Sequence, residues 1–243
     1  YYAHTLSFPH GPDEPCHVAY IAHLVESGDL HPDYKEFVNF DAWGTRTETH
    51  CHLQQTPFSY HVMRLFSPTT DTGVFANDGN FRLTNYELSL AGISLFLWTV
   101  CRHDLPLWFR VAYAVTLASV PMVPYLATAV NNDNLGWLAG SLGVFGACFL
   151  LTEPIRRVGW AFLAGGLFLA LTTKLTIAIH IAVFVAIVVG VRIRRDRGFA
   201  CIRPFGWPAI MMICLIPIGY YIYIYMEFGT FCLLYTSPSP RDR

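Results

Sequence analysis

The sequence predicts an all-α protein, a polytopic transmembrane helix bundle with a large N-terminal extracytoplasmic loop that contains short amphipathic helices. Hydrophobic residues make up 53% of the 243 residues and charged residues 14%, whereas soluble domains average about 25% charged residues. Residues 1–85 carry ten acidic and four basic side chains, a net charge of −6, and residues 86–243 carry seven acidic and twelve basic, a net charge of +5. Because the basic part is also the apolar part, its arginines fit membrane topology better than nucleic-acid binding.

The predicted loop, residues 1–85, contains two helical patterns. From Glu14 to Ser27 apolar residues recur at helical spacing, Asp13 occupies the N-cap position, and Gly28 is suited to end the helix. Both patterns are typical of amphipathic helices that lie on the membrane surface or pack on the bundle. The second pattern runs from Pro57 to Phe66, with an apolar stripe of Phe58, Val62, Leu65 and Phe66.

Residues 86–226 are predicted to form six spanning helices, since crossing a bilayer takes roughly 20 apolar residues. After them, residues 235–243 are abruptly polar and are interpreted as a non-native tail. The predicted spans are Tyr86–Cys101, Leu107–Val130, Leu135–Leu151, Val158–Thr173, Leu175–Val191 and Trp207–Met226.

The arginines predict the orientation of these spans. They follow the first, third and fifth spans, and short loops rich in Lys and Arg stay in the cytoplasm. Residues 1–85, the turn at 131–134 and Lys174 then lie on the opposite side, outside a bacterial inner membrane or in the lumen of the endoplasmic reticulum. The arginines concerned are Arg102, Arg156, Arg157, Arg192, Arg194, Arg195, Arg197 and Arg203.

Two adjacent acids begin the first helical pattern, within Pro12-Asp13-Glu14-Pro15-Cys16-His17. The ordinary interpretation is helix capping, because acidic side chains stabilise a helix N-terminus. The functional interpretation is that one carboxylate is a general base or a metal ligand at a water–lipid boundary, where partial desolvation makes a carboxylate a stronger base.

Two further polar groups share the predicted outer side with these acids. The turn Asn131-Asn132-Asp133-Asn134, taken alone, is explained as the cap of the third span. Lys174 is the only charged residue between Trp160 and Val191, so it either marks a turn or projects into a cavity. Ionisable groups at membrane depth are costly and usually functional, and a lysine at the outer face suits a phosphate as a point charge.

Histidine is concentrated in the predicted loop, with eight of the ten residues within 1–61. His17 with His23, or His50 with His52, would offer nitrogen ligands to zinc. No HxxxH, HExxH or CxxC spacing occurs, however. The sequence therefore predicts no metal site and no certain cofactor, with a divalent cation left open.

The order and common side of these motifs resemble the GT-C class of membrane glycosyltransferases, which includes protein O-mannosyltransferases and aminoarabinose transferases. In that class a large outer loop begins with a Pro-Asp-Glu-x-x-His type of motif, as residues 12–17 do. The resemblance covers about residues 8–190. Its other elements are Thr56-Pro57-Phe58-Ser59-Tyr60, with Thr56 in place of one proline, Arg82-Leu83, the outer turn at 130–135 and the lysine segment at 171–176.

The resemblance implies transfer of a sugar from a polyprenyl- or dolichyl-phosphate carrier to an acceptor at the outer face, with inversion. It implies that Asp13 is the base, with Glu14 secondary. Lys174 would contact the phosphate of the lipid-phosphate sugar donor. The remaining substrate-binding candidates are Asp133, His17 and Asn132. These motifs specify neither the sugar nor the acceptor.

A multi-pass transporter and a non-catalytic membrane scaffold are the alternative interpretations. A transporter predicts internal repeats, broken helices and ionisable groups near the bilayer midplane, and the sequence contains no evident repeat. A scaffold would have the same apolar helices but would not need the acidic motif.

Overall fold

The described residues are helical apart from one short antiparallel strand pair, so the predicted helical class is confirmed. The computed structural model describes residues 13–30, 38–41, 45–50, 56–66, 78–103, 106–120, 122–152, 156–195 and 207–228. The helices are α1 (Glu14–Ser27), α2 (Phe58–Phe66), α3 (Asp78–Arg102), α4 (Leu107–Ser119), α5 (Met122–Ala127), α6 (Asp133–Thr152), α7 (Arg156–Leu171), α8 (Leu175–Arg195) and α9 (Trp207–Phe228), and the strands are β1 (Val38–Phe40) and β2 (Arg46–His50).

The predicted spans correspond to helices, with two differences. Helix α3 begins at Asp78 rather than at Tyr86, so its first turns come from the predicted loop. The second span is not one continuous helix, because α4 ends at Ser119 and Val120 is extended, with φ −81° and ψ 105°. Pro121 follows Val120, and a residue that precedes proline is pushed out of the helical region. The predicted tail at 235–243 lies outside the described residues.

Two of the described helices, α6 and α8, are long and apolar enough to cross a membrane. Within α7, Val158–Leu171 forms a shorter apolar helix. A 20-residue helix such as α6 is about 30 Å long, the thickness of the hydrocarbon core of a bilayer.

The first helix packs into the fold on most of its sides. Helix α1 has the predicted bounds, and Gly28 ends it in the left-handed conformation, with φ 73°. Of the two predicted settings, packing on the bundle is the one observed. Its buried side chains share a core with Phe81 of α3, Val130 before α6 and Ile224 of α9. The antiparallel pair β1–β2, in which Val38 lies opposite His50, packs beside α1 and was not predicted.

Helices α6 and α7 approach each other closely along a seam of glycines. A Cβ atom added to Gly146 would lie 2.5 Å from the backbone nitrogen of Leu163. A Cβ atom added to Gly166 would lie 2.6 Å from the backbone nitrogen of Gly143 and 2.7 Å from the carbonyl oxygen of Ala139. Backbone atoms cannot move aside as a flexible side chain can, so these positions leave no room for a larger residue.

The adjacent glycines of α7 therefore provide a matched pair of substitutions. Gly166→Ala is expected to lower the free energy of unfolding by about 1–3 kcal/mol, the usual cost of overpacking. Gly165→Ala meets no atom within 4 Å and should be neutral or stabilising by up to about 1 kcal/mol, because alanine favours a helix over glycine. Denaturant unfolding of the purified protein in detergent measures both. Equal effects of the two substitutions would argue against the close seam.

The C-terminal end of α6 is surrounded by arginines, whereas its N-terminal end begins with an aspartate. At its C-terminal end Arg192 donates to the carbonyl oxygen of Leu150, and Arg195 donates to that of Leu151 at 3.1 Å. Arg102 lies over the ring of Phe149 at the same end. Arginines of α3 and α8 thus gather at the end of α6 opposite to Asp133, which begins the helix.

Candidate functional site

A cluster of ionisable side chains lies where α1, α3, α6 and the α7–α8 turn meet. We call it the polar end and define it by Glu14, His17, Arg82, Asp133 and Lys174. Four of these five residues were predicted as site residues, and they come from three separate parts of the sequence. Arg82 is the additional member.

Glu14 and Arg82 form a buried ion pair that joins α1 to α3. The guanidinium donates from Nε to Oε1 at 2.8 Å and from Nη2 to Oε2 at 2.9 Å, and each side chain is only 1% exposed. The backbone N–H of Val130 also donates to Oε1, at 2.9 Å. Because both oxygens of Glu14 accept hydrogen bonds within the protein, this carboxylate fixes the position of α1 against α3 and the segment before α6.

Asp13 differs from the neighbouring Glu14 in its exposure to solvent and in its contacts. It is exposed, and although it occupies the N-cap position of α1, its side chain makes no capping hydrogen bond. Its backbone carbonyl oxygen accepts from the N–H of His17 at 3.1 Å. The capping interpretation of this side chain is therefore not observed, and its carboxylate is accessible to solvent.

Lys174 and Asp133 form the accessible part of the polar end. Lysine Nζ lies 2.5 Å from Asp133 Oδ1, with 37% and 35% of the two side chains exposed. Lys174 stands alone among apolar residues in the sequence, and in the structure Asp133 provides its counter-charge. Beside them the Asn132 side chain donates from Nδ2 to the carbonyl oxygen of Thr173 at 3.2 Å. This bond holds the start of α6 against the α7–α8 turn.

Next to Asp133, two side-chain amides and a hydroxyl connect α3 to α6. Asn134 donates from Nδ2 to Asn85 Oδ1 at 2.9 Å, and its Oδ1 accepts from the Ser89 hydroxyl at 2.5 Å. Arg82, Asn85 and Ser89 were not predicted as site residues. They recur at helical spacing on α3, and a polar stripe leading into an apolar segment was the signal that could have identified them.

His17 is buried and hydrogen-bonded to α2. Its Nδ1 lies 2.8 Å from the Tyr60 hydroxyl, and the Tyr60 ring stacks on Tyr20 with centroids 3.9 Å apart. Burial lowers the pKa of His17 from 6.5 to about 4; the carboxylates of Asp133 and Glu14 oppose this shift, and the Lys174 ammonium adds to it. His17 is therefore a neutral imidazole near neutral pH, and three charged members of the polar end act on it.

The lowered pKa of His17 predicts a loss of stability in acid. Between pH 6.5 and about pH 4 the unfolded chain binds a proton at this position that the folded chain does not. Stability therefore rises with pH across this window and falls as the pH is lowered through it. At pH 5 the titration of His17 lowers the free energy of unfolding by on the order of 2 kcal/mol relative to neutral pH.

His17→Asn isolates this effect, because asparagine does not titrate and places a polar atom near the position of Nδ1. We expect the melting temperature to fall more between pH 7 and pH 5 in the wild type than in the variant. The difference between the two proteins removes the contribution of the carboxylates, which titrate in both. Identical pH profiles would show that His17 does not contribute to acid sensitivity.

A cavity of about 290 Å³ opens beside Asp133. Asp133, Asn134 and Ser89 are among its polar lining residues, and Leu126 and Trp137 are among its apolar ones. A second cavity of about 350 Å³, lined by residues of α6 and α8 among others, shares Tyr113 and Trp137 with the first. Space lined by apolar groups thus adjoins the ion pair of Asp133 and Lys174.

In the described part of the chain, no three or more side chains of His, Cys, Asp or Glu gather in a way that could hold a metal ion. Of the two histidine pairs named above, His17 bonds Tyr60, and His52 lies outside the described residues.

No family model, curated protein or solved structure matches the chain. The chemistry of the polar end is therefore the basis for a functional assignment. Of its members, Asp133 lines a largely apolar cavity and is paired with the partly exposed Lys174. This set of groups suits a ligand that has an anionic head and an apolar chain.

Proposed function

We propose that the protein is a membrane glycosyltransferase that moves a sugar from a polyprenyl- or dolichyl-phosphate carrier to an acceptor hydroxyl. The observation that carries the proposal is the accessible pair Asp133–Lys174 beside an apolar cavity. A lipid-phosphate sugar has the two matching parts, an anionic phosphate and an apolar chain.

The proposal includes a polytopic bundle of six spans in a bacterial inner membrane or the membrane of the endoplasmic reticulum. It is supported by α6 and α8 and by the outer surface of α8, where Ile179, Val183 and Ile187 are exposed at four-residue spacing. Such an apolar stripe suits contact with lipid. The arginines at the far end of α6 would lie on the cytoplasmic side, which makes the polar end extracytoplasmic.

Lys174 would bind the phosphate of the lipid-phosphate sugar donor. In the structure Asp133 neutralises the ammonium, so the phosphate would compete with this carboxylate for the lysine. The first isoprene units would then lie in the cavity beside Trp137. The pair is more than a third exposed on each side chain, which gives an incoming anion access to Nζ.

Asp13 would act as the general base. Its exposed carboxylate would take the proton from the acceptor hydroxyl while that oxygen attacks the anomeric carbon. The bond from that carbon to the phosphate oxygen breaks, the phosphate leaves, and the configuration inverts in this single displacement. Lys174 would stabilise the negative charge on the departing phosphate.

The other predicted site residues would hold the site in place rather than react with the substrate. Glu14, bound by Arg82, is a positioning residue rather than a second base, because its oxygens already accept three hydrogen bonds. Asn132 holds the turn that carries Lys174. His17 is buried and bonded to Tyr60, so it would hold α1 against α2 rather than contact the substrate.

Incubation of the full-length protein with radiolabelled lipid-phosphate sugars tests the proposal. Transfer of label to an acceptor fraction, with an inverted linkage, supports it. Uptake of label into vesicles without transfer would instead assign a transporter. Absence of both binding and transfer across sugars of several classes would leave a scaffold as the better interpretation.

Substitution of Lys174 tests the phosphate contact. Lys174→Ala is expected to weaken binding of the lipid-phosphate donor by roughly 10- to 100-fold, the range expected for a lost hydrogen bond to a charged group. Arg194→Ala removes an exposed cation near the arginine end and serves as the matched control. Unchanged donor affinity in Lys174→Ala would reduce this lysine to an anchor at the membrane interface.

A further inference from the structure

The second cavity, of about 350 Å³, is lined by side chains of α3, α4, α6 and α8. Helix α6 contributes Gly140 to this lining, α4 contributes Tyr113, and α8 contributes His180. The first cavity is lined in part by Asp133, whereas the described residues that line the second include no Asp, Glu, Lys or Arg. The second cavity therefore suits an uncharged ligand.

Gly140 keeps part of this cavity open. A Cβ atom added to Gly140 would meet no atom within 4 Å, whereas one added to Gly146 of the same helix would lie 2.5 Å from the backbone nitrogen of Leu163. Close helix packing therefore explains the glycine at 146 but not the one at 140. Because glycine weakens the interior of a helix relative to alanine, the position gains only the empty space above it.

His180 is a polar residue within the apolar helix α8, which is long enough to cross a membrane. It lies six residues beyond Lys174, about 9 Å further along the helix axis, and it is exposed. Its Nδ1 lies 2.7 Å from the carbonyl oxygen of Thr176. Since a carbonyl oxygen only accepts, Nδ1 carries the hydrogen, and Nε2 of the neutral ring is an acceptor. Nε2 has no hydrogen-bond partner among the residues that the structure describes.

The hydroxyl of Tyr113 is a second polar group at this cavity. The Tyr113 ring lies beside that of Phe96, with centroids 5.3 Å apart, and its hydroxyl makes no hydrogen bond within the described ranges. Ser141, by contrast, already donates to the carbonyl oxygen of Trp137 at 3.0 Å. Polar groups in apolar surroundings need a partner, so both His180 and Tyr113 offer a hydrogen bond to a ligand.

We infer that the second cavity binds a linear apolar alcohol dissolved in the membrane. The inference rests on the membrane setting of the proposed function but not on sugar transfer. The hydroxyl of the alcohol would donate to Nε2 of His180, and its oxygen would accept from the Tyr113 hydroxyl. The apolar chain would lie along α6 in the space over Gly140.

The lining favours an alcohol over other molecules that dissolve in a bilayer. A phosphate or carboxylate head would need a cation, and none lines the described part of this cavity. A plain hydrocarbon would leave both polar groups without a hydrogen bond, which is costly away from water. The two cavities share Tyr113 and Trp137 and so continue one another, which favours a linear chain.

Photolabelling tests the inference with the unmodified full-length protein in phosphatidylcholine vesicles. The probe is a hexadecanol that carries a diazirine close to its hydroxyl, and mass spectrometry maps its adducts. We expect adducts on residues that line the cavity with His180, such as Tyr113 or Ile181. Unlabelled hexadecanol should remove this label, whereas hexadecane at the same concentration should not. Equal competition by the two compounds would overturn the inference, because the hydroxyl would then contribute nothing.

Two glycines provide a matched pair of substitutions for the space itself. Gly140→Leu fills the cavity and should abolish its labelling. Gly165→Leu places the same side chain on α7, where a Cβ atom also meets nothing within 4 Å and which does not line this cavity, so labelling should be unchanged. Equal labelling in the two variants would contradict the inference.

Two further substitutions test the hydrogen bonds. His180→Phe and Tyr113→Phe each keep an aromatic ring and remove one polar group. Each should weaken competition by hexadecanol roughly 2- to 10-fold, the scale of one lost neutral hydrogen bond. Unchanged competition in both variants, at an unchanged melting temperature, would remove the assigned partners of the hydroxyl and overturn the inference.

A second probe separates this inference from the proposed function. A phospholipid with a diazirine at the end of an acyl chain should label α8 near Val183, which is exposed. Label there without hexadecanol adducts in the cavity overturns the alcohol site alone, and absence of both overturns membrane integration as well. Stronger competition by cholesterol than by hexadecanol would also overturn the assignment to a linear alcohol. Cavity labelling in a protein that transfers no sugar would support the alcohol site and count against the glycosyltransferase.

Discussion

Asp13→Asn is expected to lower sugar transfer by roughly 10²-fold or more while the protein folds and inserts normally. The rate loss is the usual scale for removing a general base. Folding should be retained because the Asp13 side chain is exposed and makes no capping hydrogen bond, and because asparagine suits an N-cap about as well as aspartate. Transfer from a lipid-phosphate sugar by the full-length variant, at matched amounts of inserted protein, measures the effect.

Asp29→Asn is the matched control for this prediction. Asp29 is an exposed acid just beyond the other end of α1, and its replacement should leave transfer near the wild-type rate. Asp78 is less suitable, because its carboxylate lies 3.6 Å from the guanidinium of Arg82. Full activity of Asp13→Asn would remove Asp13 from the reaction and make Asp133, the accessible acid of the polar end, the better candidate for the base.

Local patterns in the sequence predicted the helices well. Helix α1 has the predicted bounds because its apolar spacing and Gly28 are local signals. Helix α2 differs by one residue from the predicted range. The same kind of reasoning missed the break at Val120, where Pro121 was read as part of a long apolar run although it restricts the residue before it.

Contacts between distant residues could not be predicted in this way. Glu14 and Arg82 are 68 positions apart, and no periodicity indicates which of two adjacent acids turns inward. The same limit applies to Asp133 and Lys174. Both were candidates, but their pairing depends on α6 and the α7–α8 turn meeting at one end of the bundle.

Which face a helix buries also could not be predicted from the sequence. The apolar stripe of α2 was predicted to lie on the membrane surface or to pack on the bundle; in the structure α2 buries Ser59, Tyr60 and Met63, while Leu65 and Phe66 of the stripe are exposed. Tyr60 is placed by its bond to His17 and its stacking on Tyr20. Periodicity identifies the apolar side of a helix, but the surrounding contacts decide what that side faces.

Arg82→Met is expected to lower the free energy of unfolding by about 3–5 kcal/mol, the cost of leaving a buried charge without its partner. Glu14 would keep its carboxylate among buried groups while losing both hydrogen bonds from the guanidinium. Arg82→Lys should fall between the variant and the wild type, because lysine retains the charge but not the paired geometry. Denaturant unfolding in detergent measures the three proteins.

The double variant Glu14→Gln with Arg82→Met distinguishes a buried charge from lost packing. A neutral glutamine needs no counter-ion, and its oxygen still accepts the N–H of Val130, which lies 2.9 Å from Oε1 in the wild type. The double variant should therefore be more stable than Arg82→Met alone, since truncating one partner of a buried pair is worse than neutralising both. If the double variant is less stable than Arg82→Met, the ion pair is not what joins α1 to α3, and the packing of Tyr20 and Phe81 becomes the better explanation.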